Sequence, residues 1–239
     1  MRNKKIQTAS GVMRALGRQG SAEKSRASRR FFKTGEGQYG EGDVFIGVTM
    51  PELRAVAREF ADLPLADISK LLKSSIHEHR LAALVILTGR CSCAGAVEYA
   101  RLVKFYLAHT KCINNWDLVD VSASHILGVY FQDKKRDILY KLVRSKNMWE
   151  RRIAIVSTHA LIRRGDLADA FLLSEALLFD KEDLMHKAVG WTLREAGKQS
   201  RPALVQFLTK NIECIPRTAL RYAIEHFPEP GRQKFLKMK

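Results

Sequence analysis

The chain has 239 residues, 46% of them apolar, with 41 Lys and Arg against 25 Asp and Glu, a net charge of +16 and a pI of about 9.9. That length serves one domain or one elongated array with a full core, the apolar content excludes a disordered chain, and no apolar run reaches the ~18–20 residues of a membrane span. The charge excess is larger than solubility requires and points to a polyanionic partner, nucleic acid first.

The N-terminus, MRNKKIQTAS, is charged and lacks an apolar signal core, so a cytoplasmic protein is expected. Residues 1–20 read as a flexible or additional helical start. The segment 33–54, KTGEGQYGEGDVFIGVTMPELR, holds five glycines and reads as a loop, and Met50-Pro51-Glu52 opens a helix with proline in its first turn. Helical periodicity then covers 49–62, 77–91, 96–109, 116–131, 134–146, 149–164, 167–179, 182–197, 201–211 and 216–227. The breaks are short: Leu63-Pro64, Arg164-Gly165-Asp166, Gly197 to Pro202 and Ile215-Pro216. No strand-like alternation of useful length appears.

Cys91, Cys93, Cys112 and Cys214 show no metal-ligand spacing and read as free thiols. His77-Glu78-His79 is a poor metal site, because on a helix the two imidazoles point about 200° apart; a surface or capping role is expected. No metal and no cofactor are expected.

Five segments align: HRLAAL (79–84), VDVSAS (119–124), RRIAIV (151–156), HKAVGW (186–191) and PRTALR (216–221). Their second positions are Arg80, Asp120, Arg152, Lys187 and Arg217, at spacings typical of paired-helix repeats. The expected fold is all-α, a curved solenoid of HEAT-like repeats forming one domain over 1–239. Four cations at equivalent positions could follow a phosphate backbone, so Arg80, Arg152, Lys187 and Arg217 are expected on or near its concave side. Asp120 breaks this row and needs another reason.

All three tryptophans lie near these helix starts. Trp116 precedes Asp120 by four residues and so shares its helix face, Trp191 follows Lys187 by four, and Trp149 precedes Arg152 by three. Core packing is the favoured reading for Trp149 alone. Asp117 reads as a helix-capping carboxylate.

The segments NNWDLVD (114–120), NMWERRIAI (147–155) and HKAVGWTLREAGK (186–198), with FIGVTMPELR (45–54), resemble those of the AlkD-type alkylpurine DNA glycosylases over roughly 25–230. The resemblance implies a monomeric enzyme that removes cationic N3- and N7-alkylated purines from double-stranded DNA. It implies Asp120 as the catalytic carboxylate, Trp116 and Trp191 flanking the deoxyribose, Arg152 on the backbone beside the lesion, and Arg194 near the DNA. Asn115 stands where some members carry a further tryptophan, and Asp183-Leu184 where some carry an aromatic pair. The alternatives are a noncatalytic HEAT-repeat protein that binds distorted duplex and a protein-binding HEAT scaffold.

Overall fold

The protein is described by a computed structural model over residues 7–238. Residues 1–6, part of the expected flexible start, lie outside that range. The described residues form fourteen α-helices and no β-strand; one isolated bridge pairs Val44 with Ile76. The all-α expectation therefore holds. No helix among the described residues is long and apolar enough to cross a membrane. The chain gathers into two compact units, one ending at Ser122 and the other beginning at Ala123.

The N-terminal unit contains α1 (Ala9–Gln19), α2 (Ala22–Phe31), α3 (Met50–Glu59), α4 (Leu65–Leu72), α5 (His77–Cys93), α6 (Ala96–Ala108) and the start of α7 (Trp116–Ala123). Thr8 starts α1 by accepting from the Gly11 N–H, and Val12 and Leu16, one turn apart, bury its inner stripe. Proline stands in the first turn of α3, and Glu52 reaches back to the Thr49 N–H at 2.8 Å. Helices α3 and α4 pack on α5, which also contacts α6. The buried Leu84 and Leu87 of α5 lie in the core of this unit.

In the C-terminal unit a π-helical stretch, Ser124–Gly128, is followed by α8 (Asp137–Leu142), α9 (Met148–Ile162), α10 (Ala168–Ala176), α11 (Asp183–Gln199), α12 (Arg201–Lys210), α13 (Arg217–Ala223) and α14 (Glu229–Met238). Packing follows a skip-one order. The π-helical stretch contacts α9, α9 contacts α11, and α11 contacts α13, while α8, α10 and α12 lie against α9 and α11. Small residues permit the close approaches. A Cβ on Gly128 would stand 2.2 Å from the Ser157 carbonyl oxygen, and one on Gly190 would stand 2.6 Å from that of Ala219.

The five aligned segments fall on α5, α7, α9, α11 and α13, so the repeat read from sequence marks every second helix. Helices α2, α4 and α14 were not expected. α2 has no buried residue and no apolar stripe, α4 is only eight residues long, and α14 carries Pro230 and Gly231 in its first turn. The apolar positions of α4, Leu65, Ile68, Leu71 and Leu72, have helical spacing over too few residues to stand out, and α2 and α14 give no sustained apolar stripe.

Candidate functional site

In the N-terminal unit the glycine-rich loop is latched to the start of α5. Val44 donates to the Ser75 carbonyl and accepts from the His77 N–H. The carboxylate of Glu78 accepts from the N–H groups of Ile46, Gly47 and Val48, the shortest bond being 2.8 Å to Gly47. Gly47 has φ of +79°, and a Cβ there would lie 2.2 Å from the Ser21 carbonyl oxygen. Only glycine fits this turn, which gives the GVT part of FIGVTMPELR a structural reason.

Beneath the loop lies a charged cluster. Asp43, 8% exposed, accepts from Arg80 Nη2 at 2.5 Å, His77 Nδ1 at 3.1 Å and Asn115 Nδ2 at 3.2 Å. His77 Nε2 donates in turn to Asp117 Oδ2 at 2.8 Å. Burial would depress the His77 pKa, but hydrogen bonds to Asp117 and Asp43 outweigh it and raise it to about 9. The imidazole is therefore a cation at neutral pH. Burial would likewise raise the Asp43 carboxyl, yet its bond from His77 and the Arg80 charge hold it below the usual range. The surface or capping role expected for His77-Glu78-His79 is corrected: all three side chains are buried, and His77 and Glu78 bind partners distant in sequence.

This cluster places the first turn of α7. Asn115 Oδ1 accepts from the Trp116 N–H at 2.8 Å, and Asp117 Oδ1 from the Leu118 N–H at 2.9 Å. Asp117, expected as a helix cap, lies inside the first turn of α7 and also binds His77. The half-buried Trp116 stacks on Phe32 (5.3 Å, 20°), meets the edge of Phe31 (5.8 Å, 70°), and donates its indole N–H to Tyr39 Oη at 3.3 Å. Phe32 stacks in turn on Phe45, which stacks on His77. Asp120, one turn after Trp116, is half-buried. Burial, with a smaller contribution from the Asp120 charge, keeps the buried Tyr106 phenol protonated far above its usual range. A cavity of about 290 Å³ opens on the other flank of α7, lined by Asp117, Val121, His77, Glu78, Phe32 and Met50 among others.

The C-terminal unit holds the remaining expected residues. Trp191 is half-buried on α11, its ring at 81° to that of His159 with centroids 4.3 Å apart. His159 shares a 2.9 Å hydrogen bond with Thr192 Oγ1, and burial pushes its pKa down to about 4, so this imidazole is neutral. Arg152 is buried and donates from Nη1 to the Leu184 carbonyl at 2.9 Å, in the first turn of α11. Lys187, one turn later, pairs with Asp183 at 2.8 Å. Arg194 pairs with Glu225 and borders a cleft of about 230 Å³ with Lys198, Arg201 and His226. Trp149, 8% exposed, is core, as its reading anticipated.

Two cations of the expected row are buried. Arg80 is 4% exposed and holds Asp43 and the Ser74 carbonyl, so it fastens the loop. Arg152 is 5% exposed. Both sit where a helix start meets a neighbouring loop or helix end, and carbonyl oxygens there draw the guanidinium inward. The sequence reading also passed over α2, whose Lys24, Arg26, Arg29 and Arg30 are exposed with Glu23 as the single acid. Their signal was a run of cations without apolar periodicity. Phe31, Phe32 and Tyr39, which surround Trp116, carried no local motif at all.

A family model described as DNA alkylation repair enzyme matches residues 12–227, nearly the whole chain. The chain belongs to the DNA alkylation repair enzyme family. A solved structure described as a predicted DNA alkylation repair enzyme from Enterococcus faecalis shares its fold, with a TM-score of 0.70 at 16% identity, over 94% of this chain and 99% of that one. No curated protein matches. Membership in the DNA alkylation repair enzyme family makes DNA the expected substrate, in keeping with the +16 charge. Among the described residues, no group of three or more His, Cys, Asp or Glu could hold a metal ion.

Proposed function

We propose that this protein is a DNA glycosylase that hydrolyses the N-glycosidic bond of cationic N3- and N7-alkylated purines in duplex DNA. The observation that carries the reading is the pairing of Trp116 and Asp120, a ring and a carboxylate one helical turn apart, both half-buried, in a chain of net charge +16. Family membership in DNA alkylation repair supports it.

Glycosidic hydrolysis passes through an oxocarbenium-like sugar and ordinarily needs two carboxyl groups, one to protonate the leaving group and one to serve the sugar cation or the water. An N3- or N7-alkylpurine already carries positive charge and departs neutral, so the first group becomes dispensable. Asp120 stabilises the sugar cation and orients a water toward C1′. Trp116 and Trp191 offer their ring faces to the same charge, each worth ~0.5–2 kcal/mol. Lys187 and Arg194 hold the DNA backbone, the largely buried Arg152 supports that contact from beneath through its bond to the Leu184 carbonyl, and the exposed cations of α2 add to the attraction. Arg80 acts from within, through Asp43.

The test is release of free base from two duplexes, one methylated and one containing uracil, followed by chromatography. N7-methylguanine and N3-methyladenine should appear and uracil should not, because a neutral base lacks the leaving-group charge that this site exploits. Robust uracil release would refute the lone-carboxylate mechanism. Tight duplex binding with no release of any base would favour the noncatalytic DNA-binding reading, and binding that barely changes between low and moderate salt would favour the protein scaffold.

A further inference from the structure

We propose that His77 is a positioning residue for the site: a buried cationic strut between Asp43 and Asp117 that sets where the first turn of α7 stands, and with it Trp116 and Asp120. This inference rests on the reading of Asp120 and Trp116 given above.

The geometry supplies a continuous chain of contacts. His77 Nδ1 is 3.1 Å from Asp43, which belongs to the loop, and Nε2 is 2.8 Å from Asp117, in the first turn of α7. Asn115, the residue before α7, binds the same Asp43 oxygen as His77 and also accepts from the Trp116 N–H. Three successive residues, 115 to 117, are therefore fastened to one cluster, and Asp120 follows within a single turn. On its other side the cluster is anchored by Arg80, which ties Asp43 to the Ser74 carbonyl.

A cavity of about 290 Å³ borders His77, Glu78, Asp117 and Val121. Beside it a hydrogen-bonded ion pair of 2.8 Å joins α5 directly to the first turn of α7. Such a pair is strongly sensitive to the loss of one partner, since the other charge is then left buried.

The groups facing the imidazole are Asp43 from the loop, Asp117 from α7, Arg80 and Glu78 from its own helix, and the rings of Phe32 and Phe45. Two carboxylates bond directly to it, which keeps it charged despite its burial. Loss of that proton removes one of its two N–H donors, because neutral imidazole has only one. Either Asp43 or Asp117 then loses its bond, and the strut opens.

The experiment uses the full-length chain. In the wild type, NMR signals of the His77 ring and the Trp116 indole N–H should titrate together with a midpoint near pH 9, while the Trp191 indole signal stays unmoved. In Asp117→Asn the shared midpoint should fall by more than one pH unit. In His77→Gln at pH 7, amide hydrogen exchange over residues 115–120 should speed up at least tenfold and that of α9 and α11 less than twofold. Single-turnover base release should drop about tenfold with duplex Kd within twofold.

A Trp116 signal that ignores the His77 titration would overturn the proposal, as would equal loosening of α7, α9 and α11 in His77→Gln. The wild-type titration and Asp117→Asn decide the matter even where His77→Gln folds poorly. The NMR and exchange results stand whether or not the wild type releases base, so failure of the glycosylase reading is distinguishable from failure of the strut.

Discussion

Trp116 and Trp191, each half-buried in its own unit, both stand near a buried histidine, and the two histidines differ in charge: one is a cation, the other neutral. In the N-terminal unit His77, one aromatic ring removed from Trp116 through Phe32, sits between two carboxylates with its pKa raised to about 9. In the C-terminal unit His159 lies against Trp191, bonds to the Thr192 hydroxyl, and has its pKa pushed down to about 4. Burial acts in the same direction at both. What differs is the partner: carboxylates favour the imidazolium strongly enough to reverse the burial effect, and a hydroxyl does not. The histidine beside the tryptophan is therefore held by buried charge in the N-terminal unit and by a neutral hydroxyl in the C-terminal one.

The largest expected consequence lies at Asp120. Asp120→Asn keeps the shape of the helix face and removes the charge, so base release should fall by ~10²–10³, as when one preorganised electrostatic group is lost. Duplex binding should persist or tighten slightly. Asp117→Asn, whose amide can still accept from His77, should slow release far less. Full activity in Asp120→Asn would remove the proposed chemistry from the N-terminal unit.

The histidines come next, and they place the weak points of the two units at opposite ends of the pH scale. An unfolded histidine titrates near 6.5. His77, raised in the fold, contributes stability that is complete below that value and disappears as pH rises through about 9. His159, depressed in the fold, contributes stability present above 6.5 and lost as pH falls through about 4. Each term is on the order of 3 kcal/mol. The Asp43 contribution, from a carboxyl held below the ordinary aspartate value of 3.8, is lost only at lower pH still. Urea unfolding of His159→Leu between pH 4 and 7 should show a shallower acid decline than wild type. His77→Gln should flatten the alkaline decline between pH 7 and 9.5. Parallel curves for wild type and variant in either window would dissolve the contrast.

The smallest effects concern the glycines, and they differ in sign. Gly128→Ala would force a methyl to within 2.2 Å of the Ser157 carbonyl oxygen and should cost ~1–3 kcal/mol as the π-helical stretch shifts from α9. Gly17→Ala, on the exposed side of α1 with nothing within 4 Å of the added methyl, should stabilise by ~0.4–1 kcal/mol. Thermal unfolding of both variants measures the pair. An unaffected Gly128→Ala would show that the close approach in the C-terminal unit is not tightly held.

Local sequence determined the helices, their repeat and the composition of the site's core. Period-3.6 apolar spacing is a short-range property, so α5, α7, α9, α11 and α13 could be read directly, and the i to i+4 spacing of Trp116 and Asp120 placed them on one helix face. The charge excess and the motifs in order indicated DNA. Tertiary structure alone decided which charges are buried. Asp43, His77, Arg80 and Asn115 are separated by up to 72 residues, and nothing local distinguishes a buried paired arginine from an exposed one. The same holds for Phe31, Phe32 and Tyr39, which meet Trp116 across more than 75 residues of chain in the case of Tyr39. A charge's state depends on the solvent it has lost and the partners it has gained, and both are set by long-range packing, as His77 and His159 demonstrate: one residue type, two burials, two opposite protonation states.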